Sequence, residues 1–189
     1  LPAMLRRFGG SAEAQSRARN LWLLLMSYVF YGWWNPWFIL LMLFVSVANY
    51  VSGQLINRPG ATPRQRQFWL TLAIGASLGT LGFFKYFTFL QTNLNQALGW
   101  FGSEAFTLLH IVLPVGISFY TFQAVSYSVD VYRGEAPPAR SLMDFACYIA
   151  LFPQLIAGPI IRYHTIADQL VNRSHTCERF ASGATLFVL

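Results

Sequence analysis

The chain is built from apolar runs close to the length that crosses a bilayer. This excludes most folds otherwise open to 189 residues. About 20 apolar residues in a helix cover the hydrocarbon core. Runs of this kind occupy residues 20–34, 36–56, 68–90, 106–131 and 141–161, and another restarts at 183–189. The expected fold is all-α: a single polytopic transmembrane helical bundle. The chain opens at Leu1-Pro2 without an initiator Met and stops inside the run TLFVL. It therefore reads as a fragment of a longer polypeptide.

Composition agrees. Hydrophobic residues make up 55% and charged residues 11%, against roughly 25% charged in soluble domains. Phe, Tyr and Trp reach 17%, as expected of rings at membrane interfaces. Thirteen Lys and Arg against seven Asp and Glu leave a charge of +6. Nearly all the basic residues lie between apolar runs, which suits topology-setting loops and argues against nucleic acid as a partner. Cys147 and Cys177 match no metal or redox spacing.

The connections set an orientation. Arg6, Arg7, Arg17 and Arg19 precede the first run, Arg58, Arg64 and Arg66 follow the second, and Arg133 and Arg140 follow the fourth. The Asn35-Pro36 turn and the linker Gln91–Glu104 carry no basic residue. By the positive-inside rule the three basic connections face the cytoplasm. The first run is followed by no small-residue cleavage site, so it reads as a span rather than a signal peptide. Lys85, near the end of the third run, is placed to snorkel to the headgroups. Pro114 breaks or kinks the fourth run. FPQLIAGPII contains Pro153, Gly158 and Pro159, poor material for a straight helix. A broken or re-entrant segment is expected there, returning Arg162 to the cytoplasmic side.

The stretch LPVGISFYTFQAVSYSVDVYRG carries polar groups inside an apolar run. Gly116, Tyr120, Gln123, Tyr127 and Asp130 are spaced 4, 3, 4, 3 and stack on one helical face, opposite Phe122, Val125 and Val129. Asp at a helix centre costs about 2.5–3.5 kcal/mol to insert, while a Leu or Phe returns only about 0.3–0.6. The stripe should therefore face the bundle interior or an aqueous path. Tyr120, Gln123, Tyr127 and Asp130 are the candidate substrate-path residues. Helix–helix glue, with Gly116 allowing close approach, explains the same pattern. Asp130 and Arg133 are spaced to form an interfacial ion pair. His110 reads as a core residue, and His164 and His175 fit no common zinc spacing. Asn172-Arg173-Ser174 reads as a chance glycosylation sequon. No complete catalytic constellation and no metal site is expected. A transporter or channel subunit, or a non-catalytic scaffold, would show the same bundle.

LPVGISFYTFQAVSYSVDVYRG, followed by DFACYIALFPQLIAGPIIRY, resembles the membrane-bound O-acyltransferases, in particular their bacterial alginate-acetylating branch. SYVFYGWWNPWF and FFKYFTF are similar to earlier segments of that family, so the resemblance covers nearly the whole chain. It implies a multi-pass bundle in the bacterial inner membrane with an internal tunnel. No bound cofactor is expected. The acetyl donor would be a cytoplasmic one such as acetyl-CoA, and the acceptor a secreted polysaccharide such as alginate, served by periplasmic acetyltransferase partners. The family's catalytic histidine lies in its C-terminal half, and no position here matches its motif. Pro153, Gly158, Pro159 and Arg162 match the family's FPxLIAGPI-x-R segment. Arg133 and Arg162 are the cytoplasmic-face candidates, Arg162 for an anionic donor or simply as a headgroup anchor.

Overall fold

The computed structural model describes residues 12–33, 35–100, 111–151, 155, 161–171 and 176–188. Among them there are seven helices and no strand: α1 (Ala12–Gly32), α2 (Trp37–Ile56), α3 (Pro63–Trp100), α4 (Ile117–Arg133), α5 (Leu142–Ala150), α6 (Tyr163–Val171) and α7 (Cys177–Val188). α2 and α3 are long and apolar enough to cross a membrane.

Several boundaries differ from the apolar runs, each for a local reason. α1 begins well before residue 20, because AEAQSRAR consists mostly of strong helix formers. At its other end, the Asn35 side-chain oxygen accepts from the Trp37 N–H at 3.1 Å and starts α2. α3 does not stop at Leu90: the expected linker is helical through Trp100. Its polar residues fold back on their own helix, Thr92 donating to the Thr88 carbonyl at 2.9 Å and Asn93 to that of Phe89 at 2.8 Å. At 1.5 Å per residue α3 is about 57 Å long, and no residue after Leu81 is buried. The fourth run becomes helical only at Ile117, after the non-helical stretch 111–116. The last run is already helical from Cys177.

α2 is the hub, packing on α1, α3, α4 and α5, while α4 also meets α3 and α6. Polarity is arranged inside out. Leu40, Phe44, Val47 and Val51 of α2, and Phe119 and Phe122 of α4, face outward. Ser46, Asn49, Ser52, Ser77, Thr121, Gln123, Ser128 and Asp130 are buried. Lipid tails accept such an exterior, and polar and small side chains hold helices together where the hydrophobic effect between them is lost. Asn49 joins three helices: its Nδ2 donates to Ser77 Oγ at 2.8 Å, and its Oδ1 accepts from Ser128 Oγ at 2.8 Å.

One end of the bundle gathers the basic connections. There Asn20 donates to Asp144 at 2.8 Å, Gln54 to the Ala139 carbonyl at 2.6 Å, and Arg66 to the Tyr132 carbonyl at 3.0 Å. Ser141 caps α5 through the Asp144 N–H at 3.1 Å. The chain then runs to the opposite end of α4, where buried Leu155 lies against Gly116. By Arg162 it has returned, 3.8 Å from Glu135. Leu155 and Arg162 thus lie toward opposite ends of α4, which is about 25 Å long at 1.5 Å per residue. Pro153, Gly158 and Pro159 lie outside the described residues, as do His110, His175 and Asn172-Arg173-Ser174.

Candidate functional site

α4 buries two adjoining lines of residues. Ile117, Thr121, Ala124, Ser128 and Val131 form one, and Tyr120, Gln123, Tyr127 and Asp130 the other. The second line faces inward, none of its residues being more than 4% exposed. Gly116 is not its first helical member. It is the left-handed N-cap of α4, with φ of +73°. The close approach it permits is to the Leu155 backbone, where a Cβ would sit 2.8 Å from the carbonyl oxygen.

Tyr127 is enclosed on every side. Its hydroxyl accepts from the Ala139 N–H at 3.0 Å, and its ring fills the space that Gly53 of α2 leaves open. Phe145 of α5 and Tyr163 of α6 pack on it, with ring centroids 4.4 and 5.0 Å away. Tyr148 completes this aromatic box, 5.4 Å from Tyr163, and donates to the Ile161 carbonyl at 2.7 Å. Burial pushes the Tyr163 phenol up to about 12, so it stays protonated in the cell.

Asp130 does not pair with Arg133. Its carboxylate points into the bundle, and its partner is His164 of α6, Nδ1 to Oδ2 at 3.5 Å. Arg133 ends α4 on the exposed side, next to the left-handed Gly134, and lies 3.9 Å from Glu135. Arg162 lies 3.8 Å from the same carboxylate. The two cytoplasmic-face candidates thus share one acid. Such exposed pairs contribute about 0–1 kcal/mol.

Farther along the stripe the surroundings change. Tyr31 of α1 stands edge-on to Tyr120, ring centroids 6.3 Å apart. The two hydroxyls approach without hydrogen-bond geometry, as do the Gln123 amide and the Tyr148 hydroxyl. Tyr31 Oη, Tyr120 Oη and Gln123 Nε2 are buried and have no hydrogen-bond partner among the described residues. No cluster able to hold a metal ion occurs among those residues.

Sequence reasoning found the stripe but missed its partners. Tyr31, Tyr148, Tyr163 and His164 are far from it in sequence, and only the fold brings them together. Asn49 carried a local signal, an amide inside an apolar run.

Comparison with known proteins places this geometry. The chain is 47% identical over 188 residues to a Pseudomonas aeruginosa protein named "Probable alginate O-acetylase AlgI", covering all of this chain and 36% of that protein. The Azotobacter vinelandii protein of the same name is 47% identical over 173 residues, or 92% of this chain and 35% of its own. Along its whole length the chain is thus similar to alginate O-acetylases. A Helicobacter pylori "Peptidoglycan O-acetyltransferase" is also related, 32% identical over 197 residues, covering 89% of this chain and 36% of that protein. The chain thus spans about a third of the length of the curated relatives it matches. No family model matches it, and no solved structure does. Its relatives and its inside-out helices make it a membrane protein.

Proposed function

We propose that this chain forms part of a multi-pass inner-membrane O-acetyltransferase that modifies an exported polysaccharide, alginate or one like it. The observation that carries this reading is 47% identity, over the whole chain, to a protein named as an alginate O-acetylase. The buried face of α4 would form part of the wall of a path for the acetyl group. A cytoplasmic thioester such as acetyl-CoA would be the donor, and periplasmic acetyltransferases would receive the group or finish the modification.

The basic end of the bundle would face the cytoplasm, with the chain through Leu155 forming a re-entrant segment from that side. Arg133 and Arg162 would then stand where an anionic donor arrives. A general base must reach the acceptor hydroxyl directly or through one water. Asp130 holds His164 at the basic end, away from Tyr120 and Gln123, so the base is assigned to the longer protein outside this chain.

The test is ester-linked acetate on the exported polysaccharide. Deleting the full gene should abolish it, and restoring the gene should recover it. Changing each histidine beyond Leu189 singly to Ala should abolish it at one position, with the protein still inserted. Acetate that survives the deletion would overturn the reading.

A further inference from the structure

We infer that Tyr31, Tyr120 and Gln123 form a site for the carbonyl oxygen of an acyl group. The inference rests on the acetyl-transfer reading and narrows the path to one part of the stripe.

The stripe divides by hydrogen bonding. Tyr127 is occupied by the Ala139 N–H and Asp130 faces His164. Both are committed to holding α4 against its neighbours. Tyr120 and Gln123 are not. They are 0% and 4% exposed, and Tyr31, facing Tyr120 from α1, is 6% exposed. The two phenol oxygens and the Gln123 amide nitrogen lack partners among the described residues. Buried polar groups of this kind cost free energy until they are paired. Together with Tyr28 Oη, a turn before Tyr31, and Thr121 Oγ1, beside Tyr120, which also lack partners among the described residues, the three groups are a standing cost, which an arriving acceptor atom lowers.

The chemistry of the three groups selects that atom. An amide NH2 only donates, and each phenol has a hydroxyl proton to give. None carries a charge, so a phosphate or carboxylate would enter a low-dielectric site without a countercharge. An uncharged oxygen with two lone pairs fits, and the carbonyl of an acyl ester or thioester supplies one. Donors aimed at such an oxygen would hold the acyl group and polarise it.

The experiment uses the full-length protein with Tyr31→Phe, Tyr120→Phe and Gln123→Met made singly. It reads polysaccharide acetate in cells and the thermal unfolding midpoint of the purified protein. Each change removes a donor at nearly constant volume. Acetylation should fall by about tenfold or more, while the midpoint holds or rises because an unsatisfied buried group has gone. A second readout is the infrared carbonyl stretch of acetyl-coenzyme A labelled with 13C at the carbonyl. It should lie lower on the unaltered protein than on Tyr120→Phe. Acetylation that persists in all three variants would overturn the inference. So would losses of acetylation and stability in parallel, which would mark the groups as helix glue. Failure of the unaltered protein to acetylate would overturn the acetyl-transfer reading, and the inference with it.

Discussion

At the scale of single residues, two contacts show how the interior is specified. Gly53 is required because Tyr127 occupies its Cβ position, with ring carbons 2.8 Å from where that atom would sit. Gly53→Ala should cost about 1–3 kcal/mol, as overpacking does. Tyr127→Phe strands the Ala139 N–H and should cost a similar amount. Because the Tyr127 hydroxyl is the atom nearest the added methyl, their combined cost should be less than the sum, read from thermal midpoints of all four proteins. Strict additivity would mean that the hydroxyl is not the point of collision. Asn49→Leu is the second case. Leucine is the better residue for lipid, yet here it would leave Ser77 and Ser128 unbridged. A loss of about 1–2 kcal/mol is expected from interhelical bonds that average ~0.6 and reach ~1.7 each. A more stable Asn49→Leu protein would refute the role given to this hub.

Elements are shaped by where their ends can be satisfied. α4 starts at Ile117 because Gly116 adopts a left-handed conformation that L side chains rarely hold. There Gly116→Ala meets both the φ of +73° and the Leu155 carbonyl. It should displace Leu155 and lower the midpoint by more than a mid-helix Gly82→Ala, where nothing lies near the added methyl. Equal effects would show that the Leu155 approach does not set the start of α4. α3 shows the converse. Without a Pro or Gly from Gln91 to Leu98, its backbone stays helical well beyond its packed half, although the segment is polar. A polar composition suggested a linker there, but helix propensity and side chains bonded one turn back decided otherwise.

For the molecule as a whole the testable quantity is orientation. After Cys147 and Cys177 are changed to Ser, single cysteines can be placed as Asn35→Cys, Arg64→Cys and Arg162→Cys. An impermeant maleimide should label the first in cells whose outer membrane alone is opened, and the other two only after the inner membrane is breached. Labelling of Arg162→Cys together with Asn35→Cys would mean that the segment around Leu155 crosses rather than re-enters. Among the described residues, the start of α1 and the Arg58–Arg66 and Arg133–Arg140 connections share one end of the bundle, the end the positive-inside rule would keep in the cytoplasm. The same asymmetry was legible as an alternation of basic and uncharged connections.

Patterns that repeat along the chain were therefore readable in advance. The long apolar helices α2 and α3 and the inward polar face of α4 follow from local periodicity and the cost of polar groups in lipid. Pairings between distant residues were not. His164 rather than Arg133 faces Asp130, Asn49 bridges Ser77 and Ser128, and Tyr31 rather than a neighbour on α4 stands at Tyr120. Each depends on how helices far apart in sequence are rotated and set against one another. That arrangement results from packing the whole bundle, and no single segment encodes it.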